Sequence, residues 1–229
     1  MAENPEFRIS ALGDAAAVLS LQARIDPDIN ARIHGIAAWL SNSDAPITDL
    51  VPAYHTLSVF YDPMRIDFAA ISALIKSAAR QAPYGVTAMR RIELPVCYDP
   101  VLAPDLPELA EYCRLTPDEV IALHTGADYR VYFLGFKPGF AYLGGLHARL
   151  QMPRKATPRL SVPAGAVGIG GEQTGIYPSA SPGGWQIIGR CPIKLFDATR
   201  SPPSYLQAGD HARFQAISYT EYLAMGSTP

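Results

Sequence analysis

The sequence of 229 residues contains no apolar run that approaches the roughly 18 consecutive residues needed by a membrane-spanning helix. Its first ten residues, MAENPEFRIS, have neither the basic start nor the apolar centre of a signal peptide. We therefore expect a cytoplasmic protein that does not bind membranes. Cysteine is also scarce: Cys97, Cys113 and Cys191 are widely spaced, which disfavours a disulfide framework or a structural zinc site.

Excess charge of either sign is absent too, since 19 Lys and Arg stand against 21 Asp and Glu, for a net charge of −2. A mildly acidic chain lacks the basic balance typical of nucleic-acid-binding proteins, so we expect no nucleic-acid partner. The charges are nevertheless unevenly placed. Residues 129–196 contain eight Lys or Arg and a single acid, Glu172, so this segment carries +7 and the remainder carries −9. The same segment holds most of the glycines, and we expect function to concentrate there.

The first 90 residues predict an α+β domain. Two short strands lie within 7–21, a helix over 27–41 begins at Asp26-Pro27, and two strands follow at 47–51 and 55–61. A second helix from Phe68 ends before Pro83, and a strand over 91–98 completes the order. This order, strand, helix, two strands, helix, strand, is typical of ferredoxin-like domains.

The rest of the chain predicts a connector and a second domain. Residues 91–128 form the connector, in which 105–125 give two short helices and Thr116-Pro117-Asp118-Glu119 has capping-box spacing. Beyond it, in a domain over 129–229, short apolar segments separated by Gly and Pro favour an all-β barrel or sandwich, with a closing helix over 219–225. The expected strands are 130–134, 166–169, 186–188, 193–196 and 212–216.

Two segments of this second domain carry candidate binding residues. Arg154, Lys155 and Arg159 lie in a proline-stiffened segment without neighbouring acids, which favours an anion site slightly over a solvated basic loop. Lys137 stands among Phe136, Phe140 and glycines, and either binds an anion at an apolar pocket or extends to solvent from a packed aromatic cluster. The candidate substrate-binding or anion-binding residues are Lys137, Arg154, Lys155, Arg159, Gln173, Tyr177 and Arg190.

Other patterns exclude several kinds of chemistry. The glycines of residues 168–175 do not match a dinucleotide fingerprint or a phosphate loop, so turns and strands are their better interpretation. No Gly-x-Ser-x-Gly elbow is present, and the five histidines are scattered, which disfavours a serine hydrolase and a metal site. His147 is the one histidine of the basic segment, but no residue is assigned a catalytic role.

The segments FLGFKPGFAYLGGL, PRKATPRLSVPAGAVGIGGEQTGIYPSASPGGWQIIGR and PIKLFD together resemble the family called allophanate hydrolase subunit 1. That family includes the B subunits of 5-oxoprolinase and the KipI proteins, and it has carboxyltransferase-domain character. The resemblance covers residues 129–197 almost without a break, although Cys191 stands where the family pattern has threonine. It implies a ferredoxin-like N-terminal domain followed by a cyclophilin-like barrel.

The resemblance also implies a hetero-oligomeric complex. Its expected components are a homologous C subunit of the same family pair and an A subunit of the LamB/YcsF type. Together with this chain they open 5-oxoproline to glutamate, using ATP and Mg²⁺ as substrates of the complex, with no covalent cofactor. Two alternatives remain: a KipI-like inhibitor of a sensor histidine kinase, and a carboxyltransferase component of a biotin-dependent urea carboxylase-type enzyme. For the 5-oxoprolinase role we expect the isolated chain to be inactive.

Overall fold

The computed structural model describes residues 7–83 and 90–226, and these form two compact units, one in each range. No helix within these ranges is both long enough and apolar enough to span a membrane.

The first unit is a four-stranded antiparallel sheet with two helices. The sheet order is β1-β2-β4-β3. The elements are β1 (Arg8–Ala11), β2 (Ala16–Ser20), α1 (Pro27–Ser41), β3 (Ile47–Pro52), β4 (Thr56–Tyr61) and α2 (Phe68–Gln81). Both helices start at a capping aspartate, since Asp26 accepts hydrogen bonds from the amides of Asp28 and Ile29, and Asp67 accepts one from Ala70.

The core of this unit lies between the helices and one sheet face. Alternate residues of the central strands, such as Leu19 and Val59, pack against Ile33 and Ile36 of α1 and Ile71 of α2, and all five are fully buried. The apolar residues that alternate along the strands therefore pack against the apolar residues that recur at helical spacing in α1 and α2, and together they form one core layer.

The second unit is built around a closed barrel of seven strands, in the order β10-β7-β6-β13-β5-β12-β9. Strands β8 and β11 form a separate two-stranded sheet. The strands are β5 (Arg91–Cys97), β6 (Tyr129–Leu134), β7 (Ala141–Gly144), β8 (Arg159–Val162), β9 (Ala166–Gly170), β10 (Gln173–Ile176), β11 (Ser181–Gly183), β12 (Gln186–Arg190) and β13 (His211–Ile217). The helices are α3 (Leu106–Cys113), α4 (Pro117–Thr125) and α5 (Tyr219–Ala224).

One strand lies elsewhere than the sequence predicts. The element order assigns the segment 91–98 to the N-terminal sheet, but β5 pairs in parallel with β13 and also with β12, so it belongs to the barrel. The expected connector therefore contains a barrel strand, and its two helices pack against the barrel core. The closed barrel is confirmed, but the ferredoxin-like arrangement is not, because the described sheet of the first unit lacks its expected last strand.

Most of the other expected elements are present. The helices over 27–41 and from Phe68 are confirmed, as are the closing helix and the capping box formed by Thr116 and Glu119. The expected strand over 193–196 is wrong, because within it only Phe196 makes an isolated bridge, with Ser204.

Candidate functional site

An aromatic pocket with a volume of about 240 Å³ lies where β11 and the segment before β8 meet the barrel. Its floor is a buried cluster in which the rings of Phe140 and Trp185, and those of Phe140 and Tyr177, meet edge to face with 5.7 Å between centroids. The lining residues are Phe136, Phe140, Tyr142, Arg154, Pro158, Tyr177, Pro182, Gly183, Gly184 and Trp185. Here the aromatic residues of the 136–142 segment form a pocket wall as well as core.

The glycines of residues 168–175 make room for the indole ring of Trp185. A Cβ atom at Gly170 would overlap that ring, and one at Gly175 would lie 3.3 Å from Cζ3 of the same ring. Gly171 has φ +64° at the turn between β9 and β10. The turn-and-strand interpretation of this segment is therefore confirmed, and the glycines act on the pocket by leaving space for Trp185.

Arg154 supplies a positive charge to this pocket. Its guanidinium carbon lies 5.9 Å from the centroid of the Trp185 ring, an arrangement that suits a cation–π contact. In the same pocket, burial raises the pKa of the Tyr177 hydroxyl, and a hydrogen bond with the Trp185 backbone and the charges of Arg154 and Arg159 oppose this only in part. Tyr177 therefore stays protonated at neutral pH and presents a neutral hydroxyl beside a cation.

Lys155 and Arg159 do not point into the pocket but converge on Asp105, which is buried. Arg159 contacts the Asp105 carboxylate at 2.6 Å and Lys155 contacts it at 3.0 Å, and Lys155 also reaches Glu108 at 2.9 Å. Burial alone would raise the pKa of Asp105, but the hydrogen bonds from Arg159, the Ile187 amide and Lys155 outweigh burial, so the pKa is lowered. The acids that balance these cations lie outside the basic segment.

Asp105 is the site residue that sequence analysis missed. An aspartate directly before Leu106-Pro107 has the appearance of a helix N-cap, yet its side chain makes no capping bond to α3. Its carboxylate instead accepts a 2.6 Å hydrogen bond from the amide of Ile187, and its own amide donates to the Ile187 carbonyl. This role cannot be read from local sequence, because the true partners lie on distant segments.

The remaining candidates, Lys137, Gln173 and Arg190, are not among the residues that line the pocket. Lys137 donates to the carbonyl of Ala180 at 2.7 Å and to Ser179 at 3.3 Å, and so joins the β6–β7 turn to the loop before β11. Gln173 begins β10 opposite Gly170, and Arg190 ends β12 opposite Ala166. The structure thus places Arg154 and Tyr177 in the pocket wall and Lys155 and Arg159 beside it. An anion-binding role for any of the seven stays a prediction.

Groups able to perform nucleophilic or metal-dependent chemistry are not assembled at this pocket. Within residues 7–83 and 90–226, no three His, Cys, Asp or Glu side chains come together as metal ligands. The thiol of Cys191 is buried, and burial raises its pKa to about 12, which leaves it protonated and unreactive. The pocket is thus suited to binding a small, partly apolar anion rather than to attacking it.

Comparison with known proteins relates this fold to a family. The family model for the carboxyltransferase domain, subdomain C and D, matches residues 7–206. The chain is 40% identical to the 5-oxoprolinase B subunit of Bacillus subtilis (strain 168), over 95% of this chain and 96% of that protein. It is 41% identical to the 5-oxoprolinase B subunit of Escherichia coli O157:H7, over 89% of this chain and 93% of that protein.

Solved structures agree with this relationship. The protein TTHA0988 has a TM-score of 0.81 and 38% identity, and the match covers 93% of this chain but only 40% of that longer one. The Kluyveromyces lactis urea amidolyase has a TM-score of 0.80 at 18% identity, over 95% of this chain and 15% of that one, a likeness of fold alone. The chain belongs to the family of carboxyltransferase domains of the subdomain C and D type, together with the B subunits of 5-oxoprolinase.

Proposed function

We propose that this chain is the B subunit of a cytoplasmic, ATP-dependent 5-oxoprolinase complex and that the aromatic pocket binds 5-oxoproline. One observation carries the proposal: three relatives, each named as the B subunit of 5-oxoprolinase, are 39–41% identical to this chain over at least 89% of its length. We also propose that the barrel is of the cyclophilin-like type.

The chemistry of the pocket supports this substrate. 5-Oxoproline is a small ring with one carboxylate and one lactam amide, so it needs a cation, an apolar wall and a hydrogen-bond donor. Arg154 offers a bidentate partner for the carboxylate, the rings of Phe140 and Trp185 offer the wall, and the neutral hydroxyl of Tyr177 offers the donor. The cavity of about 240 Å³ accommodates such a ring and is small for a nucleotide.

In the proposed reaction, the lactam C–N bond breaks and water supplies the new carboxyl oxygen and the protons taken up by the nitrogen. A second water hydrolyses ATP to ADP and phosphate. This chain contributes binding, orientation and the exclusion of water around the ring. The described residues provide no nucleophile–base pair at the pocket, so we assign the reacting groups, ATP and Mg²⁺ to the assembled complex.

The proposed partners are a homologous C subunit and an A subunit of the LamB/YcsF type. Phe136 at the pocket rim is 61% exposed, and Leu160 on the neighbouring strand β8 is 93% exposed. Apolar side chains this exposed beside a binding pocket favour a surface that a partner covers. The complex would then complete the site.

The proposal is tested by reconstituting the three subunits and measuring glutamate formation from 5-oxoproline and ATP, with each subunit left out in turn. We expect activity from the full set and none from the isolated chain. Activity that does not need this chain would contradict the proposal. Inhibition of histidine-kinase autophosphorylation, or biotin-dependent carboxyl transfer, in place of glutamate formation would favour the KipI-like or the urea carboxylase-type alternative.

A further inference from the structure

A second cleft, of about 150 Å³, lies on the outer face of the barrel where β5 and β13 run parallel. Its wall is formed by Arg91, Ile92, Glu93, Asp128, His211, Ala212 and Arg213. A neighbouring hollow of about 290 Å³ shares Glu93 and Arg213 with it. None of these residues belongs to the aromatic pocket.

Strand register places the charged side chains in two rows. His211 is paired with Arg91 on β5 and with Arg130 on β6, so Arg130, His211 and Arg91 stand side by side on one face. Their neighbours in sequence, Tyr129 and Ala212, point into the barrel core, so this row points outward. Adjacent strands lie about 4.8 Å apart, which brings three basic groups within reach of one small anion.

The second row has the opposite character. Arg213 is paired with Glu93 on β5, and Asp128 directly precedes Tyr129, the β6 residue paired with Ala212. Two carboxylates therefore flank Arg213, about two residues, or roughly 7 Å, along the strands from the basic row. The cleft has a basic side and an acidic side.

These charged groups form no close ion pairs with one another in the part of the chain that the structure describes. No ion pair within 4.0 Å joins Arg91, Glu93, Asp128, His211 or Arg213 there, in contrast to the adjacent Arg90, whose Nε donates to Asp210 at 2.8 Å. Nε of Arg130 and Nε2 of His211 are buried and lack a hydrogen-bond partner. Buried, unsatisfied nitrogens and basic groups directly opposite one another both destabilise a sheet unless an acceptor binds between them.

We propose that this cleft is a binding site for a small α-amino acid. The carboxylate of the ligand is held by the basic row, and its ammonium group is held by Glu93 and Asp128. Arg213 offsets only one of the two negative charges of Glu93 and Asp128. A phosphate or a simple dicarboxylate satisfies the basic row but brings no cation to the remaining negative charge, so the arrangement selects a zwitterion. The inference rests on the charges of the cleft and not on the proposed 5-oxoprolinase function, and it is tested by binding to the isolated chain without turnover.

The test is calorimetric titration of the full chain with L-glutamate and with glutarate, which has the same two carboxylates and no amino group. We expect glutamate to bind at least about tenfold more tightly than glutarate, since a charge-assisted contact is lost with the amine. The histidine ring signal in the NMR spectrum that His211→Gln removes should also move when glutamate is added.

Matched variants make the assignment specific. Arg91→Gln, at an exposed position, should weaken both ligands about tenfold, whereas Glu93→Gln should weaken glutamate but not glutarate. Arg65→Gln, an exposed arginine of the other unit, is the control and should change neither. Absence of glutamate binding, equal affinity for glutarate, or binding that neither moves the His211 signal nor responds to Arg91→Gln would overturn the proposal.

Discussion

At the scale of single residues, Trp185 shows how glycine positions shape the proposed substrate pocket. The indole ring lies over Gly170 and Gly175, where a β-carbon would overlap or crowd it. The guanidinium group of Arg154 in turn lies over the indole ring. The orientation of Trp185, and with it the position of the pocket cation, thus depends on the absence of side chains on two strands.

Gly170→Ala should therefore displace Trp185 and destabilise the fold by about 1–3 kcal/mol, the usual effect of overpacking. Urea unfolding and tryptophan fluorescence measure the two effects. Gly184→Ala is the matched control, because the nearest atom to its β-carbon would be the Lys155 carbonyl oxygen at an ordinary 3.6 Å. Equal stability of the two variants would contradict this account of the glycine stretch.

A second residue, His124, is buried in the barrel core. The Thr174 hydroxyl donates to the Gly168 carbonyl at 3.0 Å, so it must accept from Nε2 of His124, at 3.1 Å. Nδ1 then accepts from the Tyr98 hydroxyl at 2.7 Å. His124 is therefore the neutral Nε2–H tautomer, and burial lowers its pKa to about 3.

This histidine should make the protein sensitive to acid. The unfolded chain takes up a proton at His124 below about pH 6.5, whereas the folded protein resists protonation down to about pH 3, so stability falls as the pH falls through this window. Between pH 7 and pH 5 the loss from His124 should be about 2 kcal/mol. The free energy of unfolding in urea should fall less between pH 7 and pH 5 for His124→Gln than for His147→Gln, the control at an exposed residue. An identical loss of stability in the two variants would show that His124 does not cause the acid sensitivity.

At the scale of elements, Asp105 fastens α3 to β12 and to the segment that carries Arg154. Its carboxylate accepts a hydrogen bond from the Ile187 amide and forms ion pairs with Arg159 and Lys155. The amide of Lys155 also donates to the Gly184 carbonyl at 2.7 Å, next to Trp185. Lys155 and Arg159 therefore hold the loop in place, whereas Arg154 lies in the pocket wall.

Asp105→Asn should leave two cations without their shared partner and lower the free energy of unfolding by roughly 2–4 kcal/mol. Glu108→Gln is its control, because the Glu108 side chain is 58% exposed and its contact with Lys155 should contribute less than about 1 kcal/mol. Both values are measured by urea unfolding. A larger loss of unfolding free energy in Glu108→Gln than in Asp105→Asn would contradict the role assigned to Asp105.

Elements whose signals are local could be predicted from the sequence. Helix 27–41 is one, because Asp26-Pro27 and the apolar spacing lie within one segment. The sheet to which β5 belongs could not be predicted, because its partner β13 lies more than 100 residues away. Likewise Arg159 is recognisable as a candidate but its partner Asp105, 54 residues earlier, is not. Strand β10 gives little signal, since Gln173–Ile176 contains a glycine and little apolar periodicity.

At the scale of the whole molecule, the +7 of residues 129–196 is partly balanced by acids from other segments. Lys155 and Arg159 are balanced by Asp105, whereas Arg154 faces the aromatic pocket. Net charge alone therefore does not distinguish Arg154 from Lys155 and Arg159, whereas position relative to the pocket does. The central claim is that Arg154 binds the carboxylate of 5-oxoproline in the assembled complex.

The most direct test is the KM for 5-oxoproline of the reconstituted three-subunit complex containing Arg154→Gln, beside a complex containing Arg149→Gln, an exposed arginine outside the pocket lining. Loss of a bidentate charge-assisted contact should raise this KM about tenfold or more while leaving the KM for ATP unchanged. The Arg149→Gln complex should behave as the unmodified one. A fully assembled Arg154→Gln complex with an unchanged KM for 5-oxoproline would contradict the claim.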